Sequence, residues 1–263
     1  MNFVPLILGI VQGVSEWLPI SSKTQEILVS HYLLGISLSV AYSFGLFMEM
    51  GSVGSALVYF RTDVVKALRD RFTLTFLLVV TVVTGLVGVP LYVLSDRLLE
   101  GAYNPGIPMI VLGVVLIGNG FYIRYSRKSL RGFREMRLRE AVLVGLAQGL
   151  AALPGVSRSG MTVSTMLLLG IKPEDAFRYS YLAYIPAALG SVATTLLFSD
   201  YSLSRVANQI GQEGILLALM SSMITGLLVI GLLLRIAKTK RVYLLDFSLG
   251  TLALVVSLLA TLV

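Results

Sequence analysis

Cysteine is absent from the 263 residues, histidine and tryptophan occur once each, and charged residues make up only 13%. Without cysteine there is no disulfide framework and no thiolate metal site. A soluble domain carries about a quarter charged residues, so charge this dilute excludes an ordinary water-soluble globule. The rest is apolar: hydrophobic residues reach 56% and the mean hydropathy is +0.86. Burying that much apolar surface takes lipid, at ~20 residues per helical crossing. The start also lacks the pattern of a short cleavable signal peptide, because Gln12 and Glu16 fall inside the first apolar run.

The net charge of +7 is not spread as a nucleic-acid surface. Fifteen of the 21 Lys and Arg residues fall in three clusters between apolar runs: Arg61 to Arg71, Arg124 to Arg139, and Arg235 to Arg241. Solvated loops that set membrane orientation explain such clusters, and the positive-inside rule places them in the cytoplasm. Nucleic acid is therefore not an expected partner. Helical spans are predicted near 39–60, 73–95, 107–124, 174–198, 214–235 and 243–262, with Pro90 kinking the second. The connections 61–72, 125–138 and 236–242 fall on the cytoplasmic side, and 96–106 and 199–211 on the outer side.

Two regions, 2–34 and 140–171, are long enough to cross but are broken by Pro, Gly and Ser, at WLPISSKTQ (17–25) and ALPGVSRSGMT (152–162). Each break holds a charge at a depth where a lone charge is costly. A helix–break–helix that enters and leaves by one face resolves this, since irregular backbone is tolerated only where protein or a water-filled cavity covers it. The two segments resemble each other: Gly-x-x-Gln-Gly begins at Gly9 and again at Gly145, pairing Gln12 with Gln148, Gly13 with Gly149 and Pro19 with Pro154. Three spans follow each. The fold class expected is an all-α polytopic membrane protein, one domain over 1–263, with six transmembrane helices and two re-entrant hairpins. Its halves, about 1–124 and 139–263, form an inverted repeat whose broken helices meet near the midplane. Second-arm N-termini facing one cavity suit a strongly anionic ligand, a demand that a lipid pyrophosphate meets.

Several polar residues stand at these breaks. Gln12 and Glu16 share a helix face. Ser21 and Ser22 are open to three roles: N-cap, phosphate donor or nucleophile. Arg158, in Ser157-Arg158-Ser159-Gly160, offers a guanidinium fork to phosphate. A buried Glu16–Arg158 pair could also be structural, and Gln12 and Gln148 could satisfy broken backbone. Glu49 needs a reason to lie in lipid. Arg178 sits one turn into the fourth span, open between the site and the headgroup level, and His31 is expected to face headgroups or solvent.

These residues carry a family resemblance over essentially the whole chain. In QGVSEWLPISS (12–22), FMEMGS (47–52), QGLAALPGVSRSGMT (148–162) and FRYSYLAYIP (177–186), the chain resembles the undecaprenyl-diphosphate phosphatases, also called the bacitracin-resistance family. The resemblance implies a multi-pass plasma-membrane enzyme whose site opens outward, and which removes one phosphate from a C55 polyprenyl pyrophosphate with a divalent cation, Mg²⁺ or Ca²⁺. It places the acidic motif on Gln12 and Glu16, the serine pair on Ser21 and Ser22, and the phosphate-gripping arginine on Arg158. Two departures stand out. The family's Thr-Gly-His after the serines is Lys23-Thr24-Gln25 here, and its Phe-Glu-x-x-x-Gln-x-Gly is Phe44-Gly45-x-x-x-Glu49-x-Gly51.

From this follow the expected roles. Ser157, Arg158, Ser159, Gly160 and Thr162 bind phosphate, with Gln12, Lys23, Gln25, Gln148 and Arg178 around the substrate. Glu16 and Glu49 hold the metal. Ser22, Ser21 or an activated water attacks, with Glu16 as the alternative base. Membrane lipids are the other expected partners, with a homodimer left open. The rival function is a polyprenyl-phosphate flippase that does not hydrolyse, since inverted repeats are also a transporter plan. Histidine-based phosphatase chemistry is excluded by the single histidine.

Overall fold

The computed structural model describes residues 3–18, 20–30, 38–99, 130–153, 156–198, 203–239 and 242–262, and within 110–124 residues 110, 113–114, 116–118, 120–121 and 124. Pro19, Pro154 and His31 lie outside the described residues. The elements are α1 (Val4–Ser15), α2 (Ser22–Leu28), α3 (Leu38–Tyr59), α4 (Arg61–Arg69), α5 (Arg71–Leu99), α6 (Leu138–Leu150), α7 (Arg158–Leu168), α8 (Pro173–Phe198), α9 (Leu203–Ala237) and α10 (Val242–Leu262). The described part of 110–124 is helical. Among the described residues the only β pairing is an isolated bridge, Arg131 with Ile171.

Two helices, Arg71–Leu94 and Gly211–Ala237, are long and apolar enough to cross a membrane by length and composition. On the second, Leu216, Met220, Ile224, Leu228 and Leu232 recur every fourth residue and all face outward. The first shows Leu78, Val82 and Leu86 in the same way. Contiguous apolar stripes of this kind are not left open to water; hydrocarbon is the solvent that suits them.

Three boundaries differ from expectation. Residues 61–69, read as loop, form α4, an amphipathic helix with Asp63 in its first turn and Lys66 and Arg69 in its last, charges that complement the helix dipole. Helix α5 runs past the expected end at 95 to Leu99, with Pro90 inside it. Helix α9 begins at Leu203, ahead of the expected 214, and its break falls at Gly211, whose φ of 74° is open to glycine at no steric cost.

The broken segments pack through their repeated glycines. A Cβ on Gly9 would lie 1.8 Å from Ser221 Oγ, and one on Gly13 1.9 Å from Thr225 Oγ1 and 2.5 Å from the Ser222 carbonyl oxygen. Thus α1 lies backbone-to-backbone against α9. The paired glycines of α6 do the same against α5: a Cβ on Gly145 would meet Val83 Cβ at 2.8 Å, and one on Gly149 Val87 Cβ at 2.7 Å. Such small-residue contacts substitute close van der Waals packing for the hydrophobic drive that lipid removes. We expect Gly13→Val to force α1 off α9 and lower stability by about 1–3 kcal/mol or more, seen as a fall in the thermal midpoint in detergent. Gly85→Ala on α5, where nothing lies within 4 Å, is the control and should leave the midpoint unchanged or raised.

Described residues from all three basic segments lie at one end of the bundle. Arg134 Nη1 meets Asp70 Oδ1 at 3.0 Å, Arg178 pairs with Asp63, and Lys238 Nζ meets Glu174 Oε1 at 3.2 Å. Arg131 closes the same end, with Nη2 2.7 Å from Glu140 Oε1 and 2.6 Å from the Leu169 carbonyl. Asp70 accepts from the Thr73 hydroxyl and amide; those bonds, and then Arg134, hold its carboxyl below the usual range. The Asp70 contacts are therefore complete at neutral pH and are lost as acid protonates Asp70 below that range.

Candidate active site

The two breaks meet. Ser159 Oγ donates to the carbonyls of Glu16 at 3.2 Å and Leu18 at 3.1 Å, and Ser157 Oγ donates to Leu18 at 3.4 Å. From the other side, Lys23 Nζ donates to the Ala151 carbonyl at 3.1 Å, at the C-cap of α6. Each break thus satisfies the exposed backbone of the other, which neither could do in lipid alone. Trp17, 1% exposed, fixes the first break against α8 by edge contacts with Tyr181 at 5.0 Å and Tyr184 at 4.8 Å, and Tyr181 Oη donates to its carbonyl at 3.0 Å.

Around the junction lies a cleft of about 10 Å³ lined by Glu16, Ser21, Ser22, Lys23, Ala151, Val156, Ser157 and Arg158, room for one water. Six of the expected site residues share it. Ser22 Oγ donates to Glu16 Oε2 at 2.6 Å, and Gln12 Nε2 donates to the same oxygen at 2.7 Å. A hydroxyl bonded to an oriented carboxylate is a nucleophile–base pair. Ser21, at the N-cap of α2, has φ 57°, a left-handed conformation costing a non-glycine residue about 1–3 kcal/mol. The turn that presents Ser22 therefore stores strain.

Arg158 opens α7, whose N-cap Ser157 accepts from the Gly160 amide at 3.1 Å. Its Nη2 meets Glu49 Oε1 at 2.5 Å and its Cζ lies 4.8 Å from the Tyr184 ring centroid. Nη1 of Arg158 and Oε2 of Glu49 are buried without partners. A buried unpartnered donor costs about 1–3 kcal/mol, more if charged, so this pair leaves one donor and one acceptor open to a further group. Lys23 and Arg158 also line a second cavity of about 150 Å³ that runs between α5, α6 and α8 past Gly85, Gly88, Val89 and Gly190. Gln148 faces it, its Nε2 donating to Thr84 Oγ1 at 3.0 Å.

Three expected contributors are turned elsewhere. Arg178 is engaged by Asp63 of α4, because its place in the first turns of α8 aligns it with the basic end. Thr162 bonds Ser180 of α8 and the Arg158 carbonyl, so it ties α7 to α8. Gln25 Nε2 donates to the Ile20 carbonyl at 3.3 Å and braces its own turn. Helix α2 has only 7 residues, so the second-arm dipole expected there is weak. A residue not anticipated is Glu26: it is fully buried, neither carboxylate oxygen has a partner, and its Cβ would lie 3.3 Å from a Cβ on Gly45. The space left where the resembled motif carries a glutamate is thus occupied by the aliphatic stem of a glutamate from α2. A charge inside an apolar run was the signal that could have found it.

A divalent cation fits the donor set. Glu16 and Glu49 supply carboxylate oxygens, one of them buried and unpartnered. Among the described residues no group of three or more His, Cys, Asp or Glu is placed to hold a metal.

Comparison with known proteins agrees over almost the full length. The profile of a family described as "Bacitracin resistance protein BacA" matches residues 5–255. The chain is 65% identical over 264 residues to a Saccharolobus islandicus protein named "Undecaprenyl-diphosphatase", covering 100% of both. It is 61% identical to a protein of that name from Sulfurisphaera tokodaii, again covering 100% of both, and 43% identical to one from Pyrobaculum aerophilum, covering 97% of each.

Proposed function

The chain belongs to the bacitracin resistance protein BacA family, and from that membership we propose a membrane phosphatase that hydrolyses a polyprenyl diphosphate of the undecaprenyl type to the monophosphate and inorganic phosphate. The observation that carries it is the cleft itself: Ser22 hydrogen-bonded to Glu16 at 2.6 Å beside an Arg158 whose Nη1 is unpartnered.

In this mechanism Nη1 of Arg158 and Nζ of Lys23 bind the diphosphate. The Ser22 hydroxyl attacks the terminal phosphorus, Glu16 takes its proton, and the anhydride P–O bond breaks to release the polyprenyl monophosphate, to which Glu16 passes the proton. Water then attacks the phosphoserine phosphorus and gives a proton to Glu16, the Ser–O–P bond breaks to free inorganic phosphate, and Glu16 returns the proton to the Ser22 oxygen. Glu16 and Glu49 would hold the divalent cation, which supplies Lewis-acid stabilisation of the phosphoryl oxygens. The first prenyl units enter the cavity past Gly85 and Gly88, where apolar surface and small residues suit a branched hydrocarbon chain.

The architecture we infer is six spans and two re-entrant hairpins in an inverted repeat. Its support is that repeat-paired glycines seat α1 on α9 and α6 on α5, each broken segment against the other half. Basic residues gathered at one end support a cytoplasmic location for that end, with a site that would open to the opposite face.

Phosphate release from undecaprenyl diphosphate by the purified protein in detergent tests the proposal, because no membrane remains to be crossed and transport alone yields no phosphate. Lys23→Ala in the same assay should raise KM roughly tenfold and lower kcat less, since an ammonium holds phosphate as a point charge. No phosphate release by wild-type protein, with Mg²⁺ or Ca²⁺ supplied, would sink the enzyme assignment.

A further inference from the structure

At the basic end of the bundle, the starts of α5 and α6 enclose an open cavity of about 380 Å³, remote from the catalytic cleft in its lining. Phe72, Phe76 and Met136 form its floor, and Arg71, Arg137 and Leu138 its rim. The floor is buried or half-buried, whereas all three rim residues are exposed. Arg71 opens the apolar span Arg71–Leu94, so the rim sits at headgroup depth with the floor facing the start of the hydrocarbon.

The charges at this rim are unbalanced. The acidic residues nearby are already engaged: Asp70 with Arg134 at 3.0 Å, Glu135 with the Gly132 amide at 2.8 Å, and Glu140 with Arg131 at 2.7 Å and the Arg137 amide at 2.7 Å. Among the described residues neither Arg71 nor Arg137 forms an ion pair. Two free guanidiniums above an aromatic floor at the membrane surface complement an anion that carries a hydrocarbon tail. Guanidinium forks match phosphate oxygens, and basic pockets between membrane helices take anionic headgroups.

We propose that this cavity binds one anionic phospholipid of the cytoplasmic leaflet, its phosphate between Arg71 and Arg137 and its acyl chain against Phe72 and Phe76. The site rests on the membrane placement of the chain and is independent of the catalytic assignment.

Native mass spectrometry of the purified protein in uncharged detergent, titrated with phosphatidylglycerol or with phosphatidylcholine of matched chains, tests it. The first phosphatidylglycerol should bind roughly tenfold or more tightly than phosphatidylcholine, and R71Q/R137Q should erase the difference. R61Q/R69Q removes the same charge from α4, outside the cavity, and should keep it. Thr75→Trp fills the cavity with both arginines intact and should exclude the lipid, while phosphate release at the catalytic cleft persists. Equal binding of the two lipids by wild-type protein would overturn the site, as would equal losses in both double variants or undiminished binding in Thr75→Trp. Complete displacement by millimolar inorganic phosphate would likewise overturn it, in favour of a free-anion site.

Discussion

Arg158→Lys should insert normally and lose between tenfold and several hundredfold in kcat/KM, about what one or two charge-assisted bonds of about 1.5–3 kcal/mol each supply. The reason lies in how the guanidinium divides its work. Nη2 is committed to Glu49 at 2.5 Å, the plane lies over Tyr184, and Nη1 has no protein partner. One side chain is therefore held by the protein with one prong and offers the other to the substrate. A lysine ammonium is a point charge without that fork; if it keeps Glu49 it leaves the phosphate, and if it follows the phosphate it leaves Glu49 buried and unpaired. Thermal midpoints should separate the two failures, because an uncompensated buried carboxylate costs about 3–5 kcal/mol whereas a lost substrate contact costs nothing in the free protein. Turnover of Arg158→Lys within twofold of wild type would remove the arginine from phosphate binding.

What could be read from the sequence follows from which forces are local. The helices α3, α5, α8 and α10 start and end within a few residues of expectation, because a long apolar run between charges has one stable state in lipid. Helix α4 was missed because hydropathy counts its charges as loop; the ordering of Asp63 before Lys66 and Arg69 was the sign it left. The charged residues that line the cleft stood out for a related reason: Glu16, Lys23 and Arg158 are charges where lipid penalises them. What could not be read is which partner each charge takes. Arg158 pairs with Glu49, 109 positions away, and not with Glu16; Arg178 pairs with Asp63, 115 positions away. Sequence spacing says nothing about such pairs. The Glu26–Gly45 contact is of the same kind, a glutamate side chain whose stem takes up room left by a glycine on another helix.

Glu16→Gln should cut kcat by roughly 10²- to 10⁴-fold, the usual contribution of a positioned proton acceptor, with little change in KM. Glutamine has the same shape, so Ser22 and Gln12 keep a hydrogen-bonding neighbour and the turn should hold. What is lost is proton affinity: Ser22 Oγ, 2.6 Å from Glu16 Oε2, can no longer pass its proton as it bonds to phosphorus. Glu49→Gln gives the contrast. Its carboxylate touches Arg158 and not Ser22, so its loss should raise the Mg²⁺ concentration needed for half-maximal rate and weaken substrate binding, while Glu16→Gln stays slow at saturating Mg²⁺. Ser22→Ala should match or exceed Glu16→Gln, because it removes the attacking oxygen itself. If Glu16→Gln recovers full rate at high Mg²⁺, its carboxylate serves only the metal, and the proton acceptor must be sought elsewhere, with the buried Glu26 the first place to look.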